Sequence, residues 1–244
     1  MFPGRFAGRT TTSKEGNAMQ STLWWLAFGD IHDNVSRLEE LPGLADATGV
    51  IVTGDITVGG GIKQAERSLE AVARVNPNVL AQIGNMDRGE VTEWLETRGW
   101  NLHASVREVA PGAAIVGVGA STFTPFGTPS EFPESRFSAW LDDIHRTLRE
   151  RGLRRVLLVS HNPPHHTLCD RVGDRHVGST AVREFIEEVQ PDVCVCGHIH
   201  ESRGVDRIGR TVVVNPGTLL SGGYVVVRLA GEGGFAAELN VLKP

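Results

Sequence analysis

The sequence predicts an α/β protein built as a single domain. Short, continuous apolar runs of four to six residues recur along the chain, and such runs read as strands buried on both faces. Segments of helical periodicity separate them. Hydrophobic residues make up 40% of the 244, which is ample for a core in a chain long enough for one to two domains of roughly 150 residues. No Pro/Gly-rich linker divides it.

Taken in order, residues 1–22 are polar and rich in Gly, Thr and Ser and read as a disordered leader, with Met19 an alternative start. The predicted domain covers 23–244. Its first strand is the run Leu23–Phe28, ending at Gly29-Asp30. Trp24 and Trp25 fall on alternate faces of it and read as core residues. Gly49–Thr53 ends at Gly54-Asp55, Asn78–Ile83 at Gly84-Asn85, Arg155–Ser160 at His161, and Asp192–Cys196 at Gly197-His198. Helices are expected over Val35–Leu41, Ile62–Arg74, Glu90–Arg98, Glu134–Arg151 and Ser179–Gln190. Ser179 is the natural N-cap of the last, and Pro191 stops it. From Arg203 onward, TVVVN, YVVVRLA and FAAELNVL are separated by Gly turns and predict antiparallel strands. The stretch from Gly119 to Pro133 holds three prolines and predicts a long ordered loop, a type of segment that often carries function.

Composition excludes several classes. The net charge of −5 argues against a dedicated nucleic-acid binder, which is usually basic. No apolar run approaches the ~18 residues of a membrane helix, and the leader lacks the apolar core of a secretory signal. Cys169, Cys194 and Cys196 are odd in number and show no paired-thiol spacing, which fits a reducing cytoplasm without disulfides.

The chemistry lies at the strand ends. All five central runs terminate in a side chain able to bind metal, and ligands in open α/β sheets gather beyond the carboxyl ends of strands. This predicts one cluster of Asp30, His32, Asp55, Asn85, His161, His198 and His200. Asp30/His32 and His198/His200 are each two residues apart, and in extended backbone such residues share a side. An oxygen/nitrogen donor set without cysteine suits Mn, Fe, Co, Ni or Zn. Seven donors exceed one tetrahedral ion but suit two ions sharing a carboxylate, with Asp55 as the bridge because it stands alone on its strand end. Each of these residues has an ordinary reading as a turn, cap or solvated group. Their joint occurrence at five strand ends does not.

The blocks GDIHDN, GDIT, GNMDR, SHNPPHH and GHIHES, in that order, resemble the five blocks of the calcineurin-like metallophosphoesterase family. The resemblance runs from about residue 23 to Asn215–Thr218 and beyond. It implies two packed mixed β-sheets flanked by helices, a four-layer αββα sandwich with a two-metal site at one edge. It assigns Asp30, His32, Asp55 and His200 to one ion, and Asp55, Asn85, His161 and His198 to the other. It also implies hydrolysis of a phosphate ester by in-line attack of a bridging hydroxide, with Asn85 helping to hold the phosphoryl oxygens.

One position departs. The family's block usually reads GNH, its His assisting the leaving group, whereas this chain has Met86. A thioether donates no proton. Asp87 and His165 are the nearby candidates to compensate, Asp87 in catalysis and His165 at the rim of the substrate site, and Arg88 is a candidate phosphate contact. The same block is similar to that of small prokaryotic phosphodiesterases, which favours a diester. The alternatives are a phosphomonoesterase and a nucleotide-binding regulator with little turnover. The expected partner is a small phosphate ester or nucleotide, with neither membrane nor nucleic acid. Thr124, Phe126 and Thr128 are candidates to wall the substrate site.

Overall fold

The structure, a computed structural model, describes residues 22–231 and 233–243. Apart from Thr22, the expected leader lies outside the described residues. In chain order the elements are β1 (Leu23–Phe28), β2 (Gly49–Val52), α1 (Ile62–Val75), β3 (Val79–Ala81), α2 (Glu90–Thr97), β4 (Ser105–Ala110), β5 (Ala113–Val118), α3 (Glu134–Glu150), β6 (Arg155–Ser160), β7 (Arg171–Val172), β8 (Arg175–His176), α4 (Thr180–Val189), β9 (Val193–Val195), β10 (Gly204–Ile208), β11 (Thr211–Asn215), β12 (Gly223–Leu229) and β13 (Phe235–Val241). They form two mixed sheets and a small hairpin, ordered β13-β12-β1-β2-β3, β10-β11-β9-β6-β5-β4, and β7-β8.

The continuous apolar runs are explained by three layers of core. Successive side chains of a strand point to opposite faces, so a strand covered on both sides needs apolar residues at every position. In β1, Trp25 and Ala27 face the second sheet, where they join Ile115, Leu157, Val159 and Val195, with Val225 of the neighbouring β12 beside them. Leu26 and Phe28 face outward and pack with Ala65, Leu69 and Val72 of α1 and Val91 and Leu95 of α2. Likewise Val116, Leu158 and Cys194 on the outer face of the second sheet meet Phe137, Leu141 and Ile144 of α3 and Val182 and Phe185 of α4. The layers therefore run helix, sheet, sheet, helix. The buried cysteines Cys194 and Cys196 pack as small hydrophobes, and all three thiols are free.

Four of the five expected helices form, and Ser179 caps the last by accepting a hydrogen bond from the Val182 N–H. Val35–Leu41 is a correction, since only a 3₁₀ turn at Leu38–Glu40 appears there. Seven residues are too few to offset helix nucleation, and Leu38, Leu41 and Leu44 are held instead by burial in the outer core. The tail is mostly antiparallel as expected, but β11 runs parallel to β9 because its hairpin with β10 turns it back alongside that strand. The sequence reading did not include the β4–β5 hairpin. β4 is only half-buried, and its alternation is short.

His103 is wedged beside this hairpin. Its Nδ1 accepts a hydrogen bond from the Gly119 N–H at 3.0 Å, and its ring lies edge-on to Trp140. Burial, with the Arg136 charge adding to it, pushes its pKa down from 6.5 to about 4. Between those values the unfolded chain takes up a proton that the folded chain refuses, so stability falls as pH drops through the window. His103→Gln is therefore expected to flatten the decline, read from urea unfolding at several pH values between 4 and 7. An unchanged pH dependence would contradict the assignment.

Candidate metal centre

Parallel strands deliver their carboxyl ends to a common edge. β1, β2 and β3 are mutually parallel in one sheet, as are β6 and β9 in the other. All seven predicted residues lie one to five positions past the ends of these five strands. Backbone bonds stitch the exits together: the Asp30 N–H donates to the Gly54 carbonyl at 2.9 Å, and the His32 N–H to the Asp55 carbonyl at 3.0 Å.

The exits are not extended, contrary to the expectation from i, i+2 spacing. Asp30, His32, Asp55 and His198 have φ of 48°, 47°, 49° and 67°, in the left-handed region that costs non-glycine residues energy and concentrates at functional sites. These turns bring Asp30 and His32 together but send His198 and His200 to different groups. In the first group, one donor atom each of Asp30, His32, Asp55 and His200 lie within 4.8 Å of one another, and the same holds for Asp55, His161 and His198 in the second.

His200 Nε2 lies 3.0 Å from Asp30 Oδ1, and 3.2 Å from His32 Nε2. His161 Nε2 lies 3.1 Å from Asn85 Oδ1, which adds Asn85 to the second group. Asp55 belongs to both. Its Oδ2 is 3.8 Å from His32 Nε2, and its Oδ1 is 3.4 Å from His161 Nε2 while also accepting the Met86 N–H at 2.8 Å. Two glycines make this approach possible. A Cβ on Gly84 would collide with Asp55, and one on Gly54 would come within 2.6 Å of His161 Nδ1.

The electrostatics follow from burial. Burial opposes charge on His161, but attraction to Asp55 outweighs it and lifts the pKa to about 9. His198, half-buried beside His161, is pushed down to about 4, by desolvation first and by the His161 charge second. A bond to Asp30 raises His200. The centre thus gathers two buried carboxylates, four imidazoles and an amide oxygen, with no thiolate. Among the described residues, no Lys or Arg side chain bonds to any of them. Facing imidazole nitrogens 3.2 Å apart beside two carboxylates suit hard or borderline divalent cations, so the residues fit the metals the fold implies.

The remaining expectations fare differently. Asp87 is a correction. It is fully buried, and both oxygens are occupied: Oδ2 accepts from Ile56 N and Gly84 N, and Oδ1 from Thr57 N and Thr57 Oγ1. With no oxygen free to reach a substrate, it holds the β2 and β3 exits in place. Asp87→Asn is expected to cost about 1–3 kcal/mol for each N–H left unpaired by the amide NH₂, measured as a loss in urea stability. Unchanged stability would remove this holding role.

Arg88 is exposed and donates from Nε to the Gly59 carbonyl. The structure does not bring it to the ligand groups. His165 packs its ring on His166 and His176, with centroids 4.5 and 5.9 Å away, and likewise lies outside the ligand groups. Thr128 does reach the centre, accepting from Asn85 Nδ2 at 2.9 Å. Glu131, absent from the sequence reading, braces Thr128. The one signal available was its place in the Pro-rich loop. Phe126 stands 84% exposed in that loop.

A sandwich of two mixed sheets, with an oxygen/nitrogen ligand cluster at its strand ends, defines a metal-dependent phosphoesterase architecture. The model of the family "Metallophosphoesterase, calcineurin superfamily" matches residues 101–233. The chain is 37% identical over 194 residues to an uncharacterized protein of Methanocaldococcus jannaschii, covering 77% of this chain and 84% of that one. Solved structures with the same fold include TT1561 of Thermus thermophilus (TM-score 0.68, 18% identity, 91% of this chain and 99% of that one). A dimetal phosphatase from Danio rerio also shares it (TM-score 0.53, 14% identity, 88% and 98%). This chain belongs to the metallophosphoesterases of the calcineurin superfamily. Among the described residues, no helix is long and apolar enough to cross a membrane.

Proposed function

We propose that this protein hydrolyses phosphate esters with two divalent ions, and that phosphodiesters are its preferred class. The observation that carries this is Asp55, with one carboxylate oxygen turned to each ligand group. Asp30, His32, Asp55 and His200 would hold one ion, and Asp55, Asn85, His161 and His198 the other. Two bound ions supply an activated water and neutralise charge on the phosphoryl oxygens. The likeness to a phosphatase described as dimetal agrees with this count.

The chain's own groups do the rest. Asp87 and the strand exits fix Asp55 and Asn85 in position before substrate arrives, so charge stabilisation needs no reorganisation. The Asn85 amide lies at the second ligand group, where it can help hold a phosphoryl oxygen. Two features favour diesters. Among the described residues no Lys or Arg side chain bonds to the ligand groups, so with the imidazoles neutral as metal ligands the centre offers no bonded guanidinium or ammonium for the extra charge of a dianionic monoester. Met86, half-buried beside Asp55, offers no proton to the leaving group, which leaves that proton to solvent. The three free cysteines suit a reducing cytoplasm.

Metal-free protein reconstituted in turn with Mn²⁺, Fe²⁺, Ni²⁺, Co²⁺ or Zn²⁺ and assayed on an aryl diester and its matching monoester tests this reading. Faster diester hydrolysis is expected. A monoester preference would overturn the substrate class. Two bound ions with turnover of neither ester would replace the hydrolase with a nucleotide-binding regulator, to be sought by equilibrium binding of AMP or GMP.

A further inference from the structure

Asn85 has a terminal amide whose oxygen and nitrogen are nearly identical in shape, yet only the oxygen can ligate a cation. Something must decide which atom faces the second ligand group. In this chain the deciding contacts come from the loop between β5 and α3.

Glu131 heads the sequence of contacts. Its Oε1 accepts from Thr128 Oγ1 at 2.6 Å, Thr128 N at 2.7 Å and Thr124 Oγ1 at 2.6 Å, and its Oε2 accepts from Thr124 N at 3.1 Å. Burial opposes its charge, but these four bonds outweigh it and hold the carboxyl at about 2, so it is an acceptor only. The Thr128 hydroxyl proton is therefore committed to Glu131, and the hydroxyl meets Asn85 with a lone pair. A lone pair pairs with an amide NH₂ and repels an amide oxygen. Asn85 Nδ2 accordingly donates to Thr128 Oγ1 at 2.9 Å, and its Oδ1 turns toward His161 Nε2 at 3.1 Å. The backbone is pinned from the same loop: the Ser130 N–H donates to the Asn85 carbonyl at 3.0 Å, and Ser130 Oγ to the Asp87 carbonyl at 2.6 Å.

We infer that Glu131 and Thr128 are positioning residues, forming a polar relay that orients the Asn85 amide with its oxygen toward the second ion. The inference rests on the reading of Asn85 as a ligand and gives the loop a role that its sequence position alone did not show. It also fixes the direction of dependence: the second ion depends on this relay, whereas the first, held by Asp30, His32, Asp55 and His200, does not touch it.

The test is a Mn²⁺ titration of metal-free protein followed by electron paramagnetic resonance, in which the first ion's retention reports a folded centre. Thr128→Val keeps the shape but removes the acceptor, and Glu131→Ala frees the hydroxyl to turn. Both are expected to weaken the second ion by about 10–100-fold, the usual cost of losing a partner behind a metal ligand, and to leave the first unchanged. Thr128→Ser restores the hydroxyl and is expected to restore the second ion. If Thr128→Val and Glu131→Ala bind both ions as the unsubstituted protein does while Asn85→Ala loses the second, the relay is overturned and the ligand reading survives. If Asn85→Ala itself binds both ions normally, the ligand reading falls and the relay with it.

Discussion

Asp55→Asn is expected to lower hydrolysis by about 10³-fold or more while leaving the protein folded. Losing one preorganised electrostatic stabiliser typically costs about 10²–10³ in rate, and this residue serves both ligand groups. The amide of the variant keeps a single oxygen. That oxygen can still accept the Met86 N–H, which holds the β3 exit, but a neutral group with one acceptor cannot face His32 and His161 together as the carboxylate does. The second readout is thermal. Ions that bind only the folded chain stabilise it by mass action, so Mn²⁺ should raise the melting temperature of the unsubstituted protein well above that of the variant. The metal-free variant should melt below the metal-free parent, because His161 loses the carboxylate that offsets its buried charge, so the comparison that counts is the size of the Mn²⁺-induced rise in each. Turnover close to the parent's would end the bridging assignment, whatever the thermal result.

The sequence made some features legible and hid others for physical reasons. A strand buried on both faces must be apolar at every position, so β1, β2, β6 and β9 announce themselves, and the polar residues that end them stand out. That is why all seven strand-end residues could be named before any coordinate. The backbone conformation at those ends could not be read the same way. The left-handed φ of Asp30, His32, Asp55 and His198 accompanies the close packing of the glycine exits, and although Asp and His are enriched in that region, the preference is too weak to assign it to particular positions from sequence. Spacing therefore suggested that His198 and His200 act as a pair, whereas the turn separates them. Asp87 shows a related limit. An acid next to Asn85 looks chemical in one dimension, and only burial and four hydrogen bonds reveal a brace. Glu131 is the converse, a loop residue 46 positions from Asn85 in the chain whose effect passes through a hydroxyl. The edge strand β4 escapes a sequence reading because a half-exposed strand has too weak a periodicity to be separated from loop, and its partner β5, buried throughout, because it runs into Gly119-Ala120 and not into a polar side chain that would mark its end.

Met86→His is expected to speed hydrolysis selectively. A positioned general acid is worth typically 10²–10⁴-fold, and Met86 occupies the position where the superfamily resemblance implies a histidine. Its backbone is already fixed, with the N–H bonded to Asp55 Oδ1 at 2.8 Å and the carbonyl accepting from Gly59 N at 2.9 Å. The substitution therefore changes only the half-buried side chain and leaves the ligand groups untouched. The gain should depend on what leaves. An aryl oxygen departs readily as an anion and needs little help, so an aryl diester should gain little. An alkyl oxygen is a poor leaving group, so an alkyl diester should approach the lower end of that range. The variant should also acquire a fall in rate above the titration of its new imidazole, since only the protonated ring can donate, and the parent should lack this limb. Equal gains on aryl and alkyl diesters would mean that the histidine binds the phosphoryl group rather than protonating the leaving oxygen. No gain on either would show that departure of the leaving group is already served by solvent and that Met86 costs this enzyme nothing.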